Sequence, residues 1–250
     1  MPRILTYNVH RCLGVDNILD VDRIAAVIAA QAPDIVALQE VDVGRARTGG
    51  VDQAHQLAQR LGMAFHFNAA LRIEQERYGD AILTALPERL VKAGPLPGHP
   101  RFHRLEARGA LWVAVMIDRV ELQVINTHLG LVPAEQWRQA EALAGEAWLA
   151  AIAPSQPALL VGDFNAGRRS RAYRTIAARL TEARQTRARH RGRPAQAAPT
   201  FPSSLPMLAI DHVFASPGLI IDAVATPLDL LSRVASDHLP LVVDFHFADP

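Results

Sequence analysis

The stretch Ala158-Leu159-Leu160-Val161-Gly162-Asp163-Phe164-Asn165 decides the fold, because it is a short apolar run that passes directly into polar residues. A run of this length and composition is typical of a strand covered on both faces. Similar runs recur along the chain, with helical stretches between some of them. Alternating strands and helices predict a layered α/β domain.

Eight candidate strands share a high content of Val, Ile and Leu. They are predicted at Ile4–Val9, Ile35–Gln39, Ala81–Ala85, Ala110–Ile117, Leu122–Thr127, Ala158–Gly162, His212–Ala215 and Leu241–Phe247. Capping residues and apolar periodicity predict helices after Asp20, over Asp52–Leu61, after Pro133 and after Ser170. Two regions are predicted to be loops, Leu86–Glu106 and Arg184–Met207. No long repeat or linker divides the chain, so we expect one domain over residues 1–250.

The composition excludes several classes of protein. Half of the 250 residues are hydrophobic and a fifth are charged, as in ordinary globular domains. No apolar run approaches the ~20 residues of a membrane span, and the N-terminal residues do not resemble a signal peptide. The single cysteine, Cys12, excludes an internal disulfide and a thiolate cage for zinc. We therefore expect a cytoplasmic protein.

The net charge of +1 hides an uneven distribution of arginine. The segment from Arg168 to Arg193 holds ten arginines and one acid, Glu182. Such a cluster either binds a polyanionic substrate or forms a solvated helix face and a basic loop, and the sequence leaves both open. Aromatic residues for base stacking are sparse in it, since only Tyr173 lies there.

Polar side chains follow the predicted strands at the points where the strands end. The motifs are Asn8 with His10, Glu40, His128, Asp163 with Asn165, Asp211 with His212, and Asp237 with His238. Each of these residues taken singly is typical of a turn or of a solvated surface. Polar residues at strand ends of a layered α/β fold converge on one edge, so the complete set predicts a site there.

The chemistry of this set favours phosphoester cleavage. Carboxylate and amide oxygens without a thiolate favour a hard cation, Mg²⁺ or Mn²⁺. A histidine paired with a carboxylate can act as a base or stabilise charge on phosphorus. A second aspartate beside an asparagine can orient and deprotonate water.

Taken in order, the motifs resemble the endonuclease/exonuclease/phosphatase superfamily over essentially the whole chain. The matching pieces are Thr6-Tyr7-Asn8-Val9, Leu38-Gln39-Glu40-Val41, Tyr78-Gly79-Asp80-Ala81-Ile82-Leu83, Arg108-Gly109-Ala110, Asn126-Thr127-His128-Leu129, Gly162-Asp163-Phe164-Asn165, Ile210-Asp211-His212-Val213 and Ser236-Asp237-His238-Leu239-Pro240. The superfamily includes pancreatic deoxyribonuclease-like nucleases, abasic-site endonucleases, sphingomyelinases and inositol phosphatases. The resemblance implies a four-layer α/β/β/α sandwich, in which two packed mixed β-sheets are flanked by helices.

The resemblance also implies roles for individual residues. Three would hold the Mg²⁺, or alternatively Mn²⁺: Asn8, Glu40 and Asp237. Five would act on the phosphoryl group: His128, Asp163, Asn165, Asp211 and His238. In this scheme Asp163 activates water, His128 stabilises the pentacovalent phosphate, and Asp211 buttresses His238 on the phosphate. Whether Asp163 or His238 is the base stays open.

The expected function is therefore a Mg²⁺-dependent phosphoester hydrolase, in particular a phosphodiesterase acting on nucleic acid, a phospholipid headgroup or a small diester. A phosphomonoesterase and a non-catalytic binding module on the same fold are the alternatives. A zinc hydrolase is disfavoured, because no His-x-His-x-Asp-His or His-Glu-x-x-His cluster occurs. Asp80 stands where the family often has Asn, and we expect it to form a turn rather than reach the metal. We expect a monomer.

Overall fold

Two six-stranded mixed sheets form the centre of the molecule, in a computed structural model that describes residues 1–102, 104–186 and 198–248. The strands, numbered along the chain, are β1 (Arg3–Asn8), β2 (Ile35–Val43), β3 (Ala64–Ile73), β4 (Glu76–Thr84), β5 (Glu88–Pro95), β6 (Gly109–Ile117), β7 (Val120–His128), β8 (Ala158–Asp163), β9 (Thr181–Glu182), β10 (Asp211–Ala215), β11 (Leu219–Ala225) and β12 (Leu241–Phe247). The first sheet has the order β11-β12-β1-β2-β4-β3, and the second has the order β5-β6-β7-β8-β10-β9.

Helices cover the outer faces of both sheets. They are α1 (Val21–Ala29), α2 (Gln53–Leu61), α3 (Pro133–Ala144), α4 (Arg171–Ala177) and α5 (Leu230–Ala235). The predicted caps are confirmed for α1, α2 and α4. In each helix a backbone N–H of the first turn donates to the side chain of the capping residue, which is Asp20, Asp52 or Ser170 respectively. Gly62 ends α2 in the left-handed conformation, as its position in the sequence predicts.

Three apolar layers hold these elements together. Ile4 and Ile35 of the first sheet pack with Val113 and Val161 of the second, which joins the inner faces. The outer face of the first sheet packs against α1 and α2, and that of the second against α3 and α4. Side chains alternate between the two faces of each strand, and both faces of a central strand are covered by these apolar layers. Nearly every residue of such a strand is therefore buried. The four-layer α/β/β/α sandwich is thereby confirmed.

Each sheet contains one parallel pair of strands near its centre. β1 runs parallel to β2, with Asn8 opposite Gln39. β7 runs parallel to β8, with His128 opposite Asp163. All other described pairings are antiparallel. Because parallel strands end at the same edge, each sheet delivers two polar strand ends to one place.

All eight predicted strands are confirmed, but other elements escaped the sequence analysis. β5 lies within the segment Leu86–Glu106, so the prediction of a continuous loop there is wrong. Most of β5 is exposed or half-buried, which hides the apolar periodicity of a strand. β3 and β11 were not predicted for the same reason, since both are only partly buried. The predicted loop Arg184–Met207 lies partly outside the described residues, which omit 187–197.

Among the described residues, no helix combines the length and apolar character needed to cross a membrane.

Candidate active site

A cavity of about 310 Å³ opens where the two parallel pairs end. Six of the eight predicted site residues line it: Glu40, His128, Asp163, Asn165, Asp237 and His238. The other two lie directly behind its wall. Asn8 contacts Glu40 and Asp163, and Asp211 contacts His238. The structure therefore brings together residues that span most of the chain.

Glu40 reaches the cavity because β2 carries a bulge. The register between β2 and β4 shifts between Leu38 and Val41, and Glu40 has a φ of +60°. A bulge interrupts the alternation of side chains and re-aims one of them. Asn126 of the second sheet supports this bulge, because its Nδ2 donates to the carbonyls of Leu38 (2.8 Å) and Ala81 (2.9 Å). The two sheets are thus joined by hydrogen bonds directly beneath Glu40.

Asn8 lies between two carboxylates. Its Nδ2 donates to Glu40 Oε1 and to Asp163 Oδ2, both at 3.0 Å. Its Oδ1 accepts the backbone N–H of His10 at 3.0 Å. Ser236 Oγ donates to the backbone carbonyl of Asn8 at 2.8 Å, which ties the end of β1 to the loop before His238. Asn8 therefore sets the spacing of Glu40 and Asp163.

Asp163 lies at the centre of the polar cluster. Its Oδ1 accepts the backbone N–H of Asn165 at 2.8 Å, in a turn where Asn165 has a φ of +48°. Its Oδ2 lies 3.5 Å from His128 Nε2 and 3.6 Å from His238 Nε2. Burial raises the pKa of Asp163, and the nearby charge of Asp211 raises it further, against the opposing effect of His238. A carboxylate with a raised pKa is a stronger base than an exposed one.

His238 is held by Asp211, which accepts from its Nδ1 at 2.9 Å. Both groups are buried, and the ring of Phe201 packs on the imidazole at 4.8 Å between centroids. Burial alone would lower the pKa of His238, but the charges of Asp211 and Asp163 raise it above its usual value. The ring is thereby kept as an imidazolium, with Nε2 directed toward Asp163.

His128 has the opposite electrostatic environment. Arg108 Nη1 lies 3.0 Å from His128 Nδ1. A guanidinium only donates, so Nδ1 accepts from Arg108, and the side-chain Nδ2 of Asn165 lies 2.9 Å from Nε2 on the other side of the ring. Burial and the positive charges of Arg108 and His238 lower the pKa of His128. The two imidazoles of the cavity therefore have their pKa values shifted in opposite directions.

The arrangement fits a hard cation on the side of Glu40 and Asp237. Both carboxylates line the cavity, and within the described part of the chain neither forms an ion pair with Arg or Lys. Asp163, Asp211 and His238 also lie close enough together to be considered as metal ligands. However, His238 Nδ1 is already paired with Asp211 Oδ2 at 2.9 Å, so that among the described residues only Asp211 Oδ1 is left as a buried atom of this pair without a hydrogen-bond partner. Glu40 and Asp237, which line the cavity and each keep one carboxylate oxygen without a hydrogen bond from the described residues, are the better ligands for Mg²⁺.

Several residues that line the cavity were not predicted as site residues: Arg11, Arg47, Tyr78, Glu106, Arg108, Leu131 and Phe201. Of these, Tyr78 and Arg108 stand in the sequence motifs, which marks their segments without revealing their role. Asp80 lies inside β4 and is 2% exposed, so the expectation of a turn there is wrong. Burial raises the pKa of Asp80 well above its usual value. The nearby charge of Arg108 opposes this shift, and that of Glu40 adds to it.

The arginine-rich segment is only partly described. Arg171 packs over the ring of Trp137, with 3.3 Å from its Cζ to the centroid. Arg184 Nη1 donates to the backbone carbonyl of Asp211 at 2.7 Å and to Glu182 at 3.2 Å. These two arginines therefore have structural contacts. The arginines from 187 to 193 lie outside the described residues.

Comparisons with known proteins agree with this geometry. Residues 5–238 match the family described as the Endonuclease/Exonuclease/phosphatase family. The sequence is 27% identical to uncharacterized protein YbhP of Escherichia coli (strain K12), over 98% of this chain and 96% of that protein. A crystal structure of an endonuclease/exonuclease/phosphatase from Beutenbergia cavernae superposes with a TM-score of 0.78 and 25% identity, covering 98% of this chain and 71% of the other. The mannosyl-6-phosphatase Bt3783 of Bacteroides thetaiotaomicron shares the fold, with a TM-score of 0.79, 18% identity and coverage of 99% and 100%.

Proposed function

Since the chain belongs to the endonuclease/exonuclease/phosphatase family, we propose that it is a Mg²⁺-dependent phosphodiesterase in which water attacks phosphorus. The observation that carries this proposal is the placement of His238 between Asp211 and Asp163 at the wall of the cavity. A buried imidazolium beside a carboxylate suits the binding of a phosphoryl oxygen and the activation of water.

In the proposed mechanism each side chain has one task. Asp163 accepts the proton of the attacking water, since burial makes it more basic than an exposed carboxylate. As the new P–O bond forms, the P–O bond to one alcohol breaks, and the departing alkoxide takes a proton from solvent water. His238 donates from Nε2 to a phosphoryl oxygen while Asp211 fixes the ring. His128 and Asn165, whose side-chain nitrogens lie 2.9 Å apart, contact a second phosphoryl oxygen, with Asn165 placed by the same turn as Asp163.

Metal binding is assigned to Glu40 and Asp237, with Asn8 as the third residue. In this structure the side-chain nitrogen of Asn8 faces Glu40, and its side-chain oxygen accepts from the backbone of His10. The side-chain amide of Asn8 would therefore have to rotate before its oxygen could bind a metal next to Glu40. A bound Mg²⁺ would stabilise negative charge that develops on the phosphoryl oxygens. Mn²⁺ prefers similar oxygen ligands and is expected to substitute for it.

The proposal is tested with purified protein and Mg²⁺, Mn²⁺ or EDTA, against supercoiled plasmid, an abasic duplex, aryl phosphodiesters and monoesters, and phospholipids. We expect hydrolysis of a diester that requires the cation. Asp163→Ala and His238→Ala should each abolish it while the circular dichroism spectrum is retained. Retained activity in both variants would overturn the assignment.

His246→Ala provides a matched control. His246 Nδ1 also pairs with an aspartate, Asp222, at 2.7 Å, but its side chain is 40% exposed and lies in β12 near the start of β1. The His246→Ala substitution should leave activity unchanged.

Total metal analysis of the protein as purified distinguishes a Mg²⁺ enzyme from a Zn²⁺ enzyme.

A phosphomonoesterase is the second candidate, because three arginines line the cavity and a monoester carries an additional charge. Faster turnover of 4-nitrophenyl phosphate than of bis(4-nitrophenyl) phosphate would favour it. We also propose that residues 1–250 act as one domain and as a monomer in the cytoplasm. Light scattering after size-exclusion chromatography tests the oligomeric state.

A further inference from the structure

Two arginines line the catalytic cavity without any part in the mechanism above. Arg11 lies in the short turn after β1, and Arg47 lies in the turn Ala46–Thr48 after β2. They are distant in sequence from each other, and each is held by a specific set of contacts. Both are therefore candidates for recognising a part of the substrate other than the phosphoryl group that reacts.

Arg47 is fixed by a buried carboxylate. Its Nε and Nη2 donate to Asp42, each at 2.7 Å, and Asp42 is 0% exposed. Its Cζ lies 5.2 Å from the centroid of the Tyr78 ring. This pairing uses one edge of the guanidinium and leaves Nη1 free to donate, while the side chain stays 39% exposed.

Arg11 is fixed through its backbone. His10, Arg11 and Cys12 all have positive φ, at +44°, +50° and +60°. Three consecutive non-glycine residues in this region cost about 1–2 kcal/mol each and persist only where surrounding contacts hold them. Within the described part of the chain, no carboxylate pairs with the Arg11 guanidinium, so its donors are available to a ligand.

One buried amide connects the two arginine-bearing segments. Gln53 is 0% exposed, and its Nε2 donates to the carbonyl of Arg11 at 2.6 Å. Its Oε1 accepts the backbone N–H of Asp42 at 3.0 Å. Gln53 therefore sets the position of Arg11 relative to the carboxylate that holds Arg47. A strained turn, an ion pair with a buried carboxylate and a buried amide position both arginines in the lining of the cavity.

We propose that Arg11 and Arg47 form a subsite for a second phosphate group of the substrate, next to the one that is cleaved. This inference rests on the proposed function, and it narrows the substrate to a phosphoester with another phosphate nearby. Guanidinium groups in fixed positions bind phosphate through charge-assisted hydrogen bonds, whereas an uncharged or zwitterionic headgroup does not use them in this way.

The test uses matched pairs of 4-nitrophenyl phosphodiesters. Each alcohol is an alkyl chain of two to six carbons that ends either in a phosphate or in a hydroxyl group. With Mg²⁺ present, we expect kcat/KM for the best phosphate-terminated ester to exceed that of its hydroxyl partner by about tenfold or more, the size of one charge-assisted hydrogen bond. Arg11→Gln should remove most of this preference, because it should lower kcat/KM of the phosphate-terminated ester much more than that of the hydroxyl ester.

Two further variants complete the design. Arg47→Lys keeps a cation for the buried Asp42 and loses the planar guanidinium, so the fold should remain while the preference falls. Arg119→Gln is the control, because Arg119 is exposed in the turn between β6 and β7, at the opposite end of β7 from His128. An equal loss on both esters in Arg11→Gln would mean that Arg11 only balances the acidic charge of the cavity, and would overturn the subsite.

Failure of the subsite is distinguishable from failure of the proposed function. Turnover of both esters without a preference refutes the subsite and leaves the hydrolase standing. If neither ester is hydrolysed, calorimetry in EDTA decides: alkane bisphosphates should bind wild type more tightly than the hydroxyalkyl monophosphates, and Arg11→Gln should remove the difference. Equal binding overturns the subsite. The dinucleotides TpT and pTpT, which differ only in a 5′-phosphate, give a parallel comparison. Faster cleavage of pTpT would indicate that a nucleotide supplies the second phosphate, and equal cleavage that a small bisphosphate does.

Discussion

Replacing Asn126 by alanine should destabilise the protein far more than a typical amide substitution. Asn126 is 0% exposed, and its Oδ1 accepts Gln39 Nε2 at 2.7 Å. Its Nδ2 donates to the carbonyls of Leu38 and Ala81 at the point where the bulge interrupts the pairing of β2 with β4. The substitution leaves these two carbonyls without this donor in an interior position, whereas Gln39 Nε2 still donates to Thr6 Oγ1 at 3.0 Å.

Each buried polar group that loses its partner costs about 1–3 kcal/mol. Two such groups, partly relieved by relaxation, give an expected loss of about 2–4 kcal/mol in the free energy of unfolding. This is a large share of the ~5–15 kcal/mol that domains possess. Urea denaturation followed by circular dichroism and tryptophan fluorescence measures the change.

Gln59→Ala is the control for this experiment. Gln59 is exposed on α2, so its replacement should change the free energy of unfolding by less than about 0.5 kcal/mol. A loss below about 1 kcal/mol for Asn126→Ala would refute the conclusion that this amide joins the two sheets.

Three further expectations concern other parts of the fold. Gly162→Ala should cost about 3 kcal/mol or more, because φ is +135° and a Cβ would overlap a carbonyl of β7, whereas Gly98→Ala, with open space around it, should be neutral. Both are measured by urea denaturation. Burial raises the pKa of the Cys12 thiol, so Ellman's reagent should react with the native protein about 10³-fold more slowly than with the protein in urea. Equal rates would show that the thiol is accessible. In Arg108→Gln, ¹⁵N NMR should show a changed distribution of the His128 ring tautomers, because Nδ1 loses the guanidinium that donates to it in wild type. An unchanged spectrum would mean that another contact fixes the ring.

The strands and the polar strand ends were predictable because they depend on local sequence. Apolar runs such as Leu159–Val161 mark buried strands, and the polar residue after each run marks the edge where a site forms. Capping residues such as Asp20 act within one helical turn, so they can also be recognised from the local sequence. β3 and β5 were missed because half-exposed strands lack a continuous apolar run.

The arginines of the cavity were not predictable for a different reason. Arg108 stands in a sequence motif, but its role follows only from a contact with His128 across 20 positions. The same holds for Gln53, which contacts Arg11 from 42 positions away. Neither spacing matches a helix or strand period, so no local pattern records these contacts. The orientation of the Asn8 amide likewise depends on two carboxylates brought together by the fold.

The contact between Asn8 and Asp163 connects the chemistry of the site to the packing of the sheets. These residues are 155 positions apart, and they meet at 3.0 Å because the two parallel pairs end at the same edge of the sandwich. Asn126 of the second sheet stabilises the same edge, because its side chain donates a hydrogen bond to the backbone of β2 at the bulge. A substitution that lets the sheets move relative to each other should therefore disturb the distance between Glu40 and Asp163, even where no active-site residue is changed. Loss of stability and loss of metal affinity are then expected to occur together in Asn126→Ala, whereas Gln59→Ala should affect neither.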